Sequence, residues 1–356
     1  MADISSIDKN FQAAVVDGRE TAYYDTATAP FVFEGLAWND RPYYRLPGNF
    51  TSAEVSEGAL FLANHTAGCN VRFKTDSPFL TIRAKLVHSN DMNHMPRCGS
   101  AGFDLYVKNG EGKFIFQKAV QPNRDEVNVE RLLYPQAPGG MQEYLLNFPL
   151  YGGVEKVEIG VAPGSDLQPP TPHKIKKPIL FYGSSITQGG CASRPGNAYT
   201  SQLCRKLDAT QINLGFSGSG KGDAAVARAI AELDLSCFVM DYDHNAPDPE
   251  HLEKTHEPFF KMIREKNPDL PILILSLCDF HGLEHQKQRR EIIRKTYENA
   301  IAAGDQHVAF IDGELLWGTT DRDACTVDGC HPNDLGFYRM AETVYPVLKE
   351  LLETAK

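Results

Sequence analysis

The pattern of hydrophobic and polar positions changes character near residue 170. Before that point, short segments alternate apolar and polar residues and are separated by Gly, Pro, Asn and Asp, as half-buried strands are. The clearest segments are PFLTIRAKLV, GFDLYVKN, KFIFQKAV and VEKVEIGVA. No long helical period interrupts them, so the pattern predicts an N-terminal β-sandwich of the jelly-roll kind.

After residue 170, continuous apolar runs alternate with helical periods. Runs without polar alternation are typical of strands that are buried on both faces of a parallel sheet. The five runs are PILFYG, QINLGF, CFVMDYD, PILILSL and VAFIDG. Helices are predicted over 291–303 and 334–350, and the first of them carries six residues on one face: Ile292, Ile293, Thr296, Tyr297, Ala300 and Ile301. The order predicts an open α/β/α domain with a five-stranded parallel sheet, flavodoxin-like in its layers.

A proline-rich segment, 168–173 (QPPTPH), lies between the two patterns. Prolines favour an extended, stiff connector. We therefore predict two domains, a β-sandwich over 1–170 and an α/β domain over 171–356.

Charge and cysteine content narrow the classes of partner. The 356 residues include 46 acidic and 36 basic ones, and the acidic excess is shared by both halves. Nucleic acid requires clustered positive charge, so we expect no such partner. No apolar run reaches the ~18–20 residues that span a bilayer, and MADISSIDKN lacks the features of a signal peptide. The eight cysteines form no CxxC pair, so we expect reduced thiols, no membrane partner and a cytoplasmic location.

Candidate functional residues follow the predicted strands. Ser185 lies in GSSITQG after the first run, Gly218 in GFSGSG after the second, and Asn245 in DYDHN after the third. Asp328 and His331 lie in DGCHPN before the last helix. Because ligands bind at the carboxyl ends of the strands in an open α/β sheet, we expect these segments to meet.

The residue types fit acyl transfer. A serine hydroxyl needs a base to take its proton, and His331 can take and return one. Asp328, three residues earlier, can orient the other ring nitrogen. The N–H groups of Ser185 and Gly218 and the Asn245 side chain can meet a developing oxyanion. Singly, each residue also fits a cap, turn or loop role, but the ordered set favours catalysis.

The four segments resemble the ordered blocks of GDSL-type, or SGNH, hydrolases, which carry Ser, Gly, Asn and His with an Asp three residues before the His. The string GFDLY at 102–106 is similar to the GxDLY string of the β-rich domain that precedes one subgroup of these esterases. HMPRCGSAGFDLYV and GGCASRPGNAY also read like that subgroup. Some relatives, including carbohydrate esterase family 17, remove acetyl groups from mannan.

The resemblance implies a catalytic set and an oxyanion hole. Ser185, His331 and Asp328 would be catalytic, and Ser185, Gly218 and Asn245 would form the oxyanion hole. Two positions depart from the family pattern. Ser184 stands where the first block has Asp, and Ala246 stands where Asp usually follows the third-block Asn.

Other candidate sites carry less weight. GFSGSGKG at 215–222 resembles a phosphate-binding loop, but a glycine stands where the magnesium-binding Ser or Thr belongs. His281 and His285 have metal-ligand spacing, but no carboxylate lies at ligand spacing from them, and solvated histidines are commoner. Arg194 and Asn197 are candidate substrate-binding residues for sugar hydroxyls, although ordinary surface contacts fit them equally well.

These features together predict a serine esterase that removes acetyl groups from acetylated oligosaccharides, mannan-derived ones among them, through an acyl-enzyme. No metal and no organic cofactor is expected. Two alternatives stay open: acyl transfer to an alcohol by the same residues, and a carbohydrate-binding protein on an inactive hydrolase scaffold. The expected partner is the acetylated oligosaccharide, and self-association into a homo-oligomer is left open.

Overall fold

The first part of the chain folds into antiparallel strands in the computed structural model, which describes residues 13–89, 91–278 and 281–354, with side-chain burial from residue 16 onward. The strands are β1 (Ala13–Val16), β2 (Arg19–Asp25), β3 (Val32–Glu34), β4 (Asn70–Thr75), β5 (Leu80–Leu86), β6 (Phe103–Lys108), β7 (Phe114–Val120), β8 (Asn128–Tyr134), β9 (Gln142–Asn147), β10 (Val154–Val161) and β11 (Leu167–Gln168). One sheet has the order β1-β2-β10-β5-β8, and the other has the order β11-β4-β9-β6-β7, with β3 paired to β4.

Alternating side chains of these strands form one hydrophobic core between the sheets. In β5 the residues Leu80, Ile82, Ala84 and Leu86 are buried, and they pack with residues of the other sheet such as Leu105. Period-two burial of this kind is what an antiparallel sheet with one covered face requires. The predicted β-rich, antiparallel first part is confirmed.

The second part forms a five-stranded parallel sheet, as predicted. Its strands are β12 (Ile175–Gly183), β13 (Ala209–Gly215), β14 (Cys237–Asp241), β15 (Ile272–Leu275) and β16 (Val308–Ile311). They lie in the order β13-β12-β14-β15-β16, so β12 has β13 on one side and β14 on the other. The loops after these three strands therefore meet at one edge of the sheet.

Helices cover both faces of this sheet. The helices of the described residues are α1 (Glu57–Leu62), α2 (Arg97–Ser100), α3 (Ser185–Gln188), α4 (Tyr199–Leu207), α5 (Ala224–Ala231), α6 (Pro249–Lys266), α7 (Glu284–Ala302) and α8 (Asp334–Thr354), with 3₁₀ turns at Pro195–Asn197, Gly313–Leu315 and Arg322–Cys325. Leu180 and Tyr182 pack on the side of α5, α6 and α7, whereas Ile179 and Phe181 pack on the side of α4 and α8. No helix of the described ranges is long and apolar enough to cross a membrane.

Two details of the predicted helices are wrong. The helix predicted from residue 291 begins at Glu284. The prediction started too late because the first two turns of the helix are polar and show no apolar period. Ile301, placed on the buried face, is 46% exposed, whereas Arg290 is buried among acidic partners, Asp312 and Glu314. The short helices α1 and α2 in the first part were not predicted, since neither spans two turns.

Arg45, from the first part of the chain, is fully buried against the parallel sheet. Its Nε donates to the carbonyl of His65 at 2.7 Å, and its Nη2 donates to that of Leu62 at 2.8 Å. Its Nη1 donates to the carbonyls of Asn213 and Gly215, at the end of β13, at 2.8 and 2.9 Å. A buried guanidinium has to satisfy its donors inside the protein, so Arg45 joins the segment before β4 to the end of β13.

Asp104, on β6, makes a second connection between the two parts. Its Oδ1 accepts from Asn147 Nδ2 at 2.9 Å. Its Oδ2 accepts from Arg194 Nη1 and from the Gly196 N–H, each at 2.9 Å. The loop is close to β6, since a Cβ on Gly196 would lie 2.3 Å from the Tyr106 hydroxyl. A buried carboxylate thus anchors the loop that follows α3.

The proline-rich segment 168–173 also contacts both parts of the chain, through His173. His173 Nδ1 lies 2.8 Å from Asp208 Oδ1, and its Nε2 lies 3.1 Å from Glu34 Oε2. The segment is therefore bound to an element of each part. The division of the chain into domains at residue 170 stays a prediction.

We predict that Asp104→Ala lowers the free energy of unfolding by about 3 kcal/mol, because it leaves a partly buried guanidinium and a buried N–H without their acceptor. Urea denaturation followed by circular dichroism measures the change. Asp234→Ala is the matched control, since its pair with Lys177 is exposed and such pairs contribute about 0–1 kcal/mol. Equal losses in the two variants would contradict the anchoring role.

Candidate active site

The segment GSSITQG forms the sharp turn between β12 and α3. A Cβ on Gly183 would lie 2.2 Å from Thr187 Oγ1 and 2.4 Å from the Asp241 carbonyl oxygen, so glycine is required there. Ser184 Oγ accepts a backbone N–H of α3 at 3.2 Å and caps the helix. Ser185 is therefore the first residue of α3, at the carboxyl end of a central strand, and its side chain is buried.

Ser185, His331 and Asp328 are brought together in a hydrogen-bonded row. Ser185 Oγ lies 2.9 Å from His331 Nε2, and His331 Nδ1 lies 2.7 Å from Asp328 Oδ2. Asp328 Oδ1 accepts the N–H of His331 at 2.7 Å and that of Cys330 at 3.0 Å. With the Nδ1 proton donated to Asp328, Nε2 presents its lone pair to the serine hydroxyl.

The environment of Asp328 keeps it ionised. Partial burial alone would raise the pKa of this carboxyl, but the hydrogen bonds from the backbone and ring of His331 and from the Cys330 N–H outweigh it. They lower the pKa of Asp328 to about 2. The carboxylate is thus charged at any pH near neutrality and holds the imidazole in one orientation.

Gly218 and Asn245 lie in the loops on either side of Ser185, after β13 and β14. Gly218 has φ of +66°, a conformation that favours glycine,. Asn245 Oδ1 accepts the N–H of Gly220 at 3.3 Å, which ties the two loops together and leaves Nδ2 as the donor of this side chain,. Both predicted oxyanion positions therefore lie at the same sheet edge as the serine.

Gln188 was not predicted as a site residue, and it orders the Gly218 loop. Its Oε1 accepts the Ser217 N–H at 3.0 Å. Its Nε2 donates to the Leu150 carbonyl at 3.0 Å and lies 3.3 Å from His65 Nδ1. The only local signal is the position of Gln188 one helical turn after Ser185, and long-range contacts of this kind leave no pattern in the sequence.

The two candidate sugar-binding residues lie in the loop after α3. Arg194 is bound to Asp104 and to the hydroxyl of Tyr106, and its guanidinium carbon lies 3.8 Å from the centroid of the Phe116 ring. Asn197 Nδ2 donates to Ser193 Oγ at 3.2 Å. These contacts fix the loop, and sugar binding by the two residues stays a prediction.

A buried carboxyl, Asp241, lies at the end of β14, next to the turn that carries Ser185. Its Oδ2 accepts the hydroxyls of Thr187 and Tyr199, each at 2.8 Å. Burial raises the pKa of Asp241 to about 7, although the two hydroxyl hydrogen bonds lower it. This carboxyl thus ties the end of β14 to α3 and α4.

Within the described residues, one group of three side chains has metal-ligating atoms close together: His94, Cys191 and His331. Their ligand atoms all lie within 4.8 Å of one another. His281 and His285 do not belong to such a group.

Comparison with known proteins supports the resemblance seen in the sequence. The profile of the GDSL-like lipase/acylhydrolase family matches residues 176–349. A second profile, GxDLY, the N-terminal region of SGNH-hydrolase-type esterases, matches residues 21–167. The comparison with curated proteins gives no match.

Solved structures share the whole architecture. A GDSL-like lipase from Bacteroides ovatus is 30% identical, with a TM-score of 0.84, and the alignment covers 94% of this chain and 98% of that one. A salicylyl-acyltransferase of a tetracycline biosynthetic pathway is 20% identical, with a TM-score of 0.76 and coverages of 93% and 97%. An acetyl xylan esterase from Butyrivibrio proteoclasticus is 14% identical, with a TM-score of 0.60 and coverages of 94% and 99%. The last two similarities concern the fold alone.

The fold and the strand-end site define a hydrolase of the SGNH type. The chain belongs to the GDSL-like lipase/acylhydrolase family and carries the GxDLY N-terminal region in front of the hydrolase part. It is thus an esterase or acylhydrolase.

We predict that Asp241→Asn removes a pH dependence of stability. The pKa of about 7 in the folded protein lies above that of an unfolded aspartate, so the folded state holds the extra proton. Stability from this group is then lost as the pH rises from about 4 to 7, by at most about 1.4 kcal/mol per pH unit. As the pH rises across this range, the free energy of unfolding of the wild type should therefore fall relative to that of the variant.

Asp76→Asn, an exposed loop substitution, is the matched control. Parallel curves for wild type and Asp241→Asn would show that this carboxyl does not titrate in the window.

Proposed function

We propose that the protein is a serine esterase that removes acetyl groups from acetylated carbohydrates through an acyl-enzyme intermediate. The observation that carries the proposal is the row Ser185–His331–Asp328, with 2.9 Å between hydroxyl and imidazole and 2.7 Å between imidazole and carboxylate. A serine so placed has the base that its nucleophilicity requires.

The reaction then runs in two halves. Ser185 Oγ forms a bond to the ester carbonyl carbon while its proton moves to His331 Nε2, and the carbonyl oxygen becomes an oxyanion. The tetrahedral species collapses, the carbon–oxygen bond to the sugar breaks, and His331 returns the proton to the leaving sugar oxygen. Water then attacks the acetyl-serine while its proton moves to the same imidazole. The bond between Ser185 Oγ and the carbonyl carbon breaks, His331 returns the proton to Ser185 Oγ, and acetate leaves.

The oxyanion has three donors in this proposal. They are the backbone N–H groups of Ser185 and Gly218 and the Nδ2 of Asn245. Their alignment depends on fixed loops, since a donor that has to reorganise during the reaction contributes less. Gln188 supplies this order by accepting the Ser217 N–H, and the Gly220 N–H adds to it by donating to Asn245 Oδ1 between the two loops.

The acetylated carbohydrate rests on the resemblance to carbohydrate acetylesterases with a GxDLY part, and the acetyl xylan esterase has the same overall fold. The eight free cysteines fit a reducing compartment such as the cytoplasm,. We therefore propose imported oligosaccharides, and not intact cell-wall polymer, as substrates. The salicylyl-acyltransferase has this fold as well, which keeps transfer to an alcohol as the second candidate.

We predict that Ser185→Ala lowers kcat/KM for p-nitrophenyl acetate on the order of 10⁴-fold or more, because no other nucleophile replaces the hydroxyl. The melting temperature should stay close to that of the wild type. Ser165→Ala, in a loop of the first part, is the matched control and should keep full activity. Substantial turnover by Ser185→Ala would remove the nucleophile assignment.

Substrate class is tested with a panel of acetylated oligosaccharides, including mannan-derived ones, with acetate assayed and products mapped by NMR. Acetate release from sugars in water supports the hydrolase. New esters on added sugar acceptors, without net acetate release, would favour the acyltransferase. Sugar binding without turnover of any ester would favour the inactive scaffold.

We predict that Asn245→Ala lowers kcat about 10²–10³-fold, because one oxyanion donor is lost. KM should change little, since the donor acts mainly in the transition state. Steady-state kinetics on p-nitrophenyl acetate measures both constants, and Asn128→Ala on the exposed side of β8 is the control. A rise in KM at constant kcat would assign the side chain to ground-state binding.

A further inference from the structure

Three potential metal ligands from separate parts of the chain converge beside the candidate catalytic residues. His94 lies in the loop before α2, Cys191 follows α3, and His331 precedes α8. The rings of His94 and His331 have centroids 5.8 Å apart and are inclined by 69°. The ligand atoms of all three side chains lie within 4.8 Å of one another.

The backbone at Cys191 is held in an unusual conformation. Cys191 has φ of +73°, which side chains other than glycine rarely adopt, and such conformations persist where the surroundings impose them,. The preceding Gly190 packs on the imidazole, since a Cβ there would lie 3.5 Å from His331 Cδ2. The turn therefore holds a buried thiol against the catalytic ring.

The thiol has no evident part in ester hydrolysis. Burial, together with the nearby Asp328 carboxylate, raises the pKa of Cys191 to about 12. A thiol that stays protonated is a poor nucleophile. Among the described residues Cys191 has no hydrogen-bond partner, so its position beside the imidazole is not explained by the network that holds the catalytic residues.

We propose that His94, Cys191 and His331 bind a zinc ion, and that this ion inhibits the enzyme. Two imidazoles and one thiolate form a ligand set that suits zinc and excludes magnesium and calcium, and a solvent molecule completes the tetrahedron. His331 meets a further feature of zinc ligands, because its other nitrogen is held by a carboxylate, Asp328,.

The inhibition follows from which lone pair the ion takes. His331 Nδ1 is bound to Asp328, so Nε2 is the available ligand atom, and it is the atom that accepts the Ser185 hydroxyl. A zinc–nitrogen bond at Nε2 removes the base. The Cys191 thiol releases its proton to solvent as the sulfur–zinc bond forms, so the charges balance.

The geometry needs a small closure. Zinc bonds of about 2.0–2.3 Å place tetrahedral ligand atoms about 3.5 Å apart. Because the present separations are within 4.8 Å, the groups have to approach by no more than about 1.3 Å. His94 is exposed and lies on a loop, so its side chain can make this movement.

Cobalt(II) serves as a spectroscopic probe of binding, independent of any turnover. Titration of the wild-type protein should give tetrahedral d–d bands and a thiolate-to-cobalt charge-transfer band, and Ser185→Ala should keep both. Cys191→Ser should lose the charge-transfer band, and His94→Gln should weaken binding at least about 10-fold. The matched controls Cys98→Ser and His285→Gln should behave like the wild type. A wild-type titration without a charge-transfer band would overturn the site.

The inhibition arm rests on the proposed function. Zinc should inhibit hydrolysis of p-nitrophenyl acetate, and EDTA should restore it. Cys191→Ser and His94→Gln should keep basal turnover and need at least about 10-fold more zinc for half-inhibition. Equal sensitivity of His94→Gln and the wild type would overturn the proposal, even if Cys191→Ser failed to fold. A protein with no esterase activity but a normal cobalt spectrum would refute the proposed function and leave the metal site standing.

Discussion

The rest of the structure depends on the hydrogen bonds that the buried guanidinium of Arg45 makes. A cation without water is costly unless it is hydrogen-bonded inside the protein, and four backbone carbonyls accept hydrogen bonds from this one,. Burial lowers its pKa to about 10, so it remains charged at neutral pH. Two of the carbonyls end β13, and the guanidinium carbon lies 4.8 Å from the centroid of the Phe216 ring. The start of the Gly218 loop is therefore set by a residue of the β-rich part.

The same loop is held from its other side by Gln188, which also contacts Leu150 and His65. The loop that carries the proposed oxyanion donor Gly218 is consequently ordered by residues from both parts of the chain. His65 is buried beside this network, and burial lowers its pKa to about 3, so it is neutral. A charged imidazole there would oppose Arg45, and the neutral ring lets Nδ1 accept from the Gln188 amide.

The sequence predicts the parallel half well, because strands buried on both faces appear as uninterrupted apolar runs. In the β-rich half it reveals β5, β6, β7 and β10, whereas shorter or more evenly buried strands such as β4 and β9 give no alternation. Ser185, His331 and Asp328 could be named because they lie in segments that resemble the ordered blocks of GDSL-type hydrolases, with Asp328 three residues before His331. Arg45 and Gln188 could not, since their partners lie far away in sequence and are mostly backbone atoms, which leave no trace in residue type.

Asp104 gives the GxDLY string a physical meaning. Its carboxylate lies in the β-rich part but completes the hydrogen bonds of the loop after α3. Neither part can therefore be exchanged for that of a relative without affecting the other. A chimera that joined this hydrolase part to the β-rich part of a relative would need both the aspartate and the loop that donates hydrogen bonds to it. We therefore expect Asp104 and this loop to be retained or lost together in evolution.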